Sequence, residues 1–138
     1  MTNVQPQLFT EIATEVQTQF PGTFVTGEWV DAPTQFPCVS IVEADNYLDR
    51  SAFDNSLKEN LSVLMYQVTV FSNKQTGKRF QCVEILSLID DMLRQKNAIR
   101  IARVESYADP STKKIYQMTA RYRVRVSDDG EGNYTFYT

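Results

Sequence analysis

The stretch that decides the fold is KKIYQMTARYRVRVS, residues 113–127. Apolar and polar side chains alternate along it, and an alternation of this kind is typical of a half-buried β-strand. The side chains predicted to face the core are Tyr116, Met118, Ala120, Tyr122, Val124 and Val126. Those predicted to face away are Gln117, Thr119, Arg121, Arg123 and Arg125. The stretch therefore predicts a long strand with one covered face and one open face.

Neighbouring segments extend this strand into a sheet. Residues 99–107 are predicted to form a strand, which the turn residues Asp109, Pro110 and Ser111 join to the long strand as an antiparallel hairpin. Residues 61–72 alternate as a central strand, and shorter strands are predicted at residues 23–30 and 37–43. Residues 133–138 are predicted to be a short terminal strand or arm.

Two segments have the helical period instead. In residues 5–20 the apolar stripe consists of Leu8, Phe9, Ile12, Ala13, Val16 and Phe20. In residues 78–96 it consists of Cys82, Ile85, Leu86, Ile89, Met92 and Leu93. Thr76 is the predicted N-cap of the second helix, and Asn97 is its predicted end.

This order of elements, α-β-β-β-α-β-β, predicts a single α+β domain over residues 1–138. We expect a mostly antiparallel sheet with two helices packed on one face. Residues 44–60 are rich in polar and turn-forming side chains and are predicted to be a long loop. Residues 128–138 are predicted to be a C-terminal arm.

The composition narrows the classes of function. The chain has 138 residues, 42% hydrophobic and 22% charged, which is ordinary for a soluble globular domain. It contains no apolar run long enough for a membrane span, and residues 1–7 lack the features of a signal peptide, so we expect folding in a cytoplasm. Histidine, the commonest general base and metal ligand, is absent. Cys38 and Cys82 lie far apart and are predicted to be buried thiols.

Gly77-Lys78 looks like the end of a phosphate-binding loop, but the pattern fails on both sides. Ser72 stands where the loop needs glycine, and Arg79 stands where it needs a hydroxyl. A nucleotide site is therefore not predicted.

The acidic residues do not form a recognisable catalytic or metal site either. Asp90 and Asp91 are neighbours on a helix, so they point in different directions and are predicted to belong to its polar face. The acidic side chains around the predicted loop match no calcium-binding spacing; they are Glu43, Asp45, Asp49 and Asp54. We therefore expect a protein that is not an enzyme and that has no cofactor and no metal.

Charge is divided unevenly along the chain. Residues 1–73 have a balance of −7, residues 74–126 have +7, and the last residues contribute −3. The net charge of −3 does not favour bulk binding of nucleic acid, whereas separate acidic and basic regions could join copies of the chain head to tail. Arg121, Arg123 and Arg125 share one strand face. That face is either solvated or a contact surface for an acidic neighbour or a phosphate backbone.

Three stretches carry a resemblance: FPCVSIVEADN at residues 36–46, YQVTVFSNKQTGK at residues 66–78 and IYQMTARY at residues 115–122. They resemble the small tail-completion, or tail-terminator, proteins of long-tailed bacteriophages and prophages of Gram-positive bacteria. The resemblance covers residues 8–127, and residues 132–138 match nothing in the family.

This resemblance implies a tail-terminator-like fold, a sheet flanked by helices, and a structural virion protein that is assembled in the host cytoplasm as a homo-hexameric ring. Such a ring ends the tail tube and docks to the neck. The implied partners are copies of the chain itself, the tail-tube protein and a neck or head-completion protein, while genomic DNA passes through the lumen without specific binding. The residues that we expect at interfaces are Arg121, Arg123, Arg125, Asp45, Asp49, Asp54, Tyr134 and Phe136. The alternatives are a head-completion protein of the connector, a nucleic-acid-binding accessory protein using the arginines and, last, a small hydrolase.

Overall fold

The computed structural model describes residues 5–48, 62–128 and 134–137. Its elements are α1 (Gln5–Gln19), β1 (Phe24–Thr26), β2 (Cys38–Leu48), β3 (Ser62–Ser72), α2 (Lys78–Gln95), β4 (Ile99–Tyr107), β5 (Tyr116–Asp128) and β6 (Tyr134–Tyr137). The predicted α+β fold is confirmed, since six strands form one mixed sheet that packs against two helices in a single domain.

The strands are ordered β1-β2-β3-β5-β4 across the sheet, and β6 also pairs with β5. Every pairing is antiparallel except that of β1 with β2, which is parallel. β4 and β6 lie along the same side of β5, because β3 occupies the other side as far as Val126. The predicted hairpin around Asp109 is the β4–β5 pair.

Both helices cover the same face of the sheet. Leu8, Ile12 and Val16 of α1 are buried there, together with the predicted stripe of α2 from Cys82 to Leu93, in which only Met92 is half-buried. All six β5 side chains predicted to face the core are buried: Tyr116, Met118, Ala120, Tyr122, Val124 and Val126. The alternation in residues 116–126 therefore identified the covered face correctly.

The boundaries of two strands differ from those predicted from the sequence. Residues 44–48, predicted as loop, continue β2, because residues 45–48 pair on one side with β3 although Asp45 and Asn46 are polar; a bulge lies between Glu43 and Asp45. The rest of the predicted loop lies outside the described residues. The first strand has only three residues.

Two turns also differ from the prediction. Gly77, and not Thr76, caps α2, and its φ of 78° is a left-handed value that glycine adopts without strain. The long strand begins at Tyr116 because Lys113 belongs to the turn, where its N–H donates to the carbonyl of Asp109. Asn97 does end α2, with a φ of 62°.

Candidate interaction surface

The side of the sheet opposite the helices, which we call the open face, carries the three arginines of β5. Arg121 and Arg123 are exposed and Arg125 is half-buried, so their predicted outward direction is confirmed. Their pairing partners on β3 are, in the same order, Gln67, Met65 and Val63. Arg121 Nε donates a hydrogen bond to Gln67 Oε1 at 3.0 Å, which orients one guanidinium along the sheet. We call Arg121, Arg123 and Arg125 the arginine row.

At the β1 end of the sheet, by contrast, the chain covers its own open face. Cys38 and Phe71 are buried there, although they lie opposite to the helices. Ser40 Oγ donates to the backbone carbonyl of Glu28 at 2.6 Å, so the segment after β1 runs against this corner. Burial raises the pKa of the Cys38 thiol.

β4 is an exposed edge strand. Ile99, Ile101 and Val104 have 46%, 52% and 65% of their surface accessible, although all three are large and apolar. A groove of about 390 Å³ lies beside Val104 on the open face, lined by Gln67, Ala102, Val104, Thr119 and Arg121. Apolar and cationic side chains thus meet at this corner of the sheet.

The helix side of β4 is fixed by charged contacts. Asp90 of α2 accepts a hydrogen bond from Tyr122 Oη at 2.7 Å and one from Arg100 Nη1 at 3.2 Å. Arg79 Nε of α2 lies 2.7 Å from Glu105 Oε1 of β4, and this contact lowers the pKa of Glu105. These contacts hold the edge strand in place and leave its outer side exposed.

The prediction from sequence did not identify Asp90 as a buried hydrogen-bond acceptor. It is buried, whereas the adjacent Asp91 is exposed, so the two do diverge but only Asp91 belongs to the polar face. The available signal was the four-residue step from Cys82 to Leu86 to Asp90, which continues the apolar stripe.

Burial is the main cause that raises the pKa of Tyr122, and the hydrogen bond from its hydroxyl to Asp90 is the second. A cavity of about 240 Å³ between α2 and β4 is lined in part by Asp90, Arg100 and Arg103.

The other predicted contact residues lie in different environments. Asp45 is exposed on β2 and pairs with Met65, which in turn pairs with Arg123, so the register brings Asp45 and the arginine row into one line across the open face. Asp49 and Asp54 lie outside the described residues.

Tyr134 and Phe136 belong to a paired strand and not to an unattached arm. Both are half-buried against the core, which sets them on the helix side of the sheet. Asn97 Nδ2 donates to the carbonyl of Phe136, and Lys96 Nζ lies 5.2 Å from the centre of its ring. The apolar parts of both side chains therefore have partners within the same chain.

The strand order converts the division of charge along the sequence into a division in space. β1, β2 and β3 form one end of the sheet, and β5 and β4 form the other. Residues 5–48 carry six carboxylates and no lysine or arginine: Glu11, Glu15, Glu28, Asp31, Glu43 and Asp45. Residues 74–126 carry twelve basic side chains and five acidic ones. We call these two ends the acidic end and the basic end.

Among residues 5–48, 62–128 and 134–137, no group of three His, Cys, Asp or Glu side chains is placed to hold a metal ion. No helix in this part of the chain has the length and apolar character that crossing a membrane requires.

Comparison with other proteins does not identify a family for this chain. No family model matches the chain, and no curated protein is significantly similar to it. The features of the molecule that bear on its function are the open face, the edge strand β4 and the two charged ends of the sheet.

Proposed function

We propose that the protein is a tail terminator, a structural subunit of a long-tailed bacteriophage that forms a ring, ends the tail tube and joins the tail to the neck. The observation that carries this proposal is the presence of an acidic end and a basic end on one sheet. Opposite charges at opposite ends favour head-to-tail contacts between copies, and such contacts close into a ring when their rotation closes. The α+β fold and the three family-like stretches support the same function.

The arginine row is proposed to contact carboxylates of an adjacent subunit or of the tail tube. A channel through which DNA slides should not grip phosphates, because each cationic contact adds salt-dependent affinity. Arg123 is exposed, so it can form charge-assisted hydrogen bonds with a neighbour without disturbing the core.

Deleting the gene tests the proposal. We expect separate heads and tails, with tails of abnormal length, because nothing would end the tube or join it to the neck. Supplying the intact gene in trans should restore normal particles, and the mass of the protein on isolated tails should correspond to a hexamer. Normal infectious particles without the gene would contradict the proposal.

A nucleic-acid-binding accessory protein is the second candidate, because the arginine row is exposed. The aromatic residues next to it do not support this role, since Tyr116 and Tyr122 are buried on the opposite face and cannot stack with bases. Titration with single- and double-stranded DNA at several salt concentrations separates the candidates. A steep salt dependence that is lost when the three arginines are replaced by glutamine would favour the second.

A further inference from the structure

We infer that the outer side of β4 pairs with a second copy of this chain, along the outer side of its β2. The inference deepens the proposed function, on which it rests for the ring, because it names the two surfaces through which neighbouring subunits join. Each joint would extend the sheet of one subunit into that of the next.

The first surface is β4. Of the described strands only β5 pairs with it, so its other side presents backbone N–H and C=O groups. The bulge between Arg100 and Ala102 leaves residues 102–107 as a regular ladder of six residues. Edge strands are usually protected from pairing with other chains, yet Ile101 and Val104 are more than half exposed here. A strand with these properties is suited to pairing with another chain.

The second surface is the outer side of β2 at the acidic end. β1 pairs only with Cys38, Val39 and Ser40, and the carbonyl of Ile41 accepts a hydrogen bond from Gln5 Nε2. No described strand covers the outer side of residues 42–48, and the four residues after the bulge, 45–48, form a regular ladder that can pair with part of the six-residue ladder of β4.

Charge complementarity identifies the occupant as a copy of the chain. β2 carries Glu43 and Asp45, and no basic side chain occurs anywhere in residues 5–48. β4 carries Arg100, Arg103 and one carboxylate, Glu105, and lies in the basic end. Joining these strands sets Arg103 on the same side of the extended sheet as Glu43, and sets Asp45 on the side of Val104 and the arginine row. The acidic end of one copy thus meets the basic end of the next, which fixes the partner and the order of the joint.

The strand directions agree with a head-to-tail joint. β2 and β4 run in opposite directions, because three antiparallel pairings separate them in the sheet. Repeating the sheet without inversion therefore places β4 antiparallel to the β2 of the next copy. A two-fold pairing of β4 with itself, centred on its middle residue Arg103, would place two guanidinium groups opposite each other and is disfavoured.

Sedimentation of the full chain over a concentration series at low salt tests the joint. Val104→Glu places a carboxylate on β4 facing the acidic end, so we expect the dissociation constant of self-association to rise by about tenfold or more. Val104→Thr keeps a neutral β-branched side chain and should associate nearly as the unmodified chain does. Phe80→Glu is the matched control, because Phe80 is 66% exposed and Val104 65%, but Phe80 lies on α2. A chain that stays monomeric at the highest attainable concentration, or self-association unchanged by Val104→Glu, would overturn the inference.

Mixing two variants distinguishes the head-to-tail joint from the two-fold alternative. Asp45→Arg alters the acidic end, so this variant and Val104→Glu should each associate poorly alone. Together they retain one intact pair of surfaces, and the two altered surfaces carry opposite charges, so the mixture should associate at concentrations at which neither variant does alone. Dimers of Asp45→Arg alone would instead show that β4 pairs with itself, and the inference would be wrong.

The two proposals can fail separately. Normal particles after gene deletion, with self-association that Val104→Glu weakens, would remove the phage role and leave the joint. Abnormal tails after deletion, with association that Val104→Glu does not change, would leave the role and remove the joint.

Discussion

Tyr122 and Arg123 are neighbours in β5, but they belong to two different regions of the molecule. Tyr122 points to the helices, is fully buried and donates its hydroxyl to Asp90. Arg123 points to the open face, is exposed and is aligned with Met65 and Asp45 across the sheet. One alternating pattern therefore serves two purposes. The side chains on the helix side stabilise the fold, and those on the open face can contact a partner.

The same isoleucine-to-alanine change should have its largest effect on the covered face. Ile89 in α2 is fully buried, and Ile89→Ala should lower the free energy of unfolding by about 2–5 kcal/mol, because it removes packed methyl groups and leaves a cavity. Ile101→Ala on β4, where the side chain is 52% exposed, should cost no more than about 0.5 kcal/mol. Urea unfolding of both variants measures the difference, and equal losses would erase the distinction between the two regions.

High pH should destabilise the covered face by a smaller amount. Burial raises the pKa of the Cys82 thiol from 9.0 to about 12, so the unfolded chain loses this proton first. The contribution of Cys82 to stability is therefore complete below pH 9 and is lost as the pH rises towards 12. Urea unfolding at intervals across this range should show a falling free energy of unfolding, with a shallower fall in Cys82→Ala. An identical slope in that variant would contradict the assignment to Cys82.

The smallest effect on stability is expected on the open face, where the effect on assembly should be the larger one. Arg123→Glu changes an exposed side chain, so the free energy of unfolding should move by only about 0.5 kcal/mol. Ring formation or docking to tails should nevertheless weaken, because the arginine row is proposed to meet carboxylates. Arg123→Lys keeps the charge and serves as the control in sedimentation and tail-binding assays. Normal assembly of Arg123→Glu, or a structure of the ring with the whole row lining the open channel, would refute this role.

The elements with a strict period could be predicted from sequence. β5 and α2 each bury one stripe against the other, so their patterns identify both the element and its covered face. Residues 44–48 could not be assigned this way, because their strand conformation depends on pairing with β3, and their side chains do not alternate in a way that reveals it. The same applies to the parallel pairing of β1 with β2, which is a contact between segments twelve or more residues apart.

The candidate surface was predicted only in part. The outward direction of the arginine row follows from alternation alone. The unequal charge of the two halves of the chain was also evident, but only the strand order shows that these halves are opposite ends of the sheet. The exposure of Ile101 and Val104 could not be foreseen, because it depends on β4 being an edge strand that the helices do not cover.

Because residues 5–48 contain no basic side chains, they offer no cleavage site to trypsin and no lysine amine to a cross-linking reagent. Arg50 is the first basic residue in the sequence, so trypsin should release the part of the acidic end that contains β1 and β2 as one long peptide. The basic end contains five lysines, at positions 74, 78, 96, 113 and 114, and is cut at many sites. A carbodiimide couples carboxylates to amines. Where the acidic end meets the basic end, cross-linking followed by trypsin should therefore give a short lysine peptide joined to that one long peptide. A pair formed within one chain, such as Glu11 with Lys96 at 3.3 Å, provides an internal standard for such cross-links between copies.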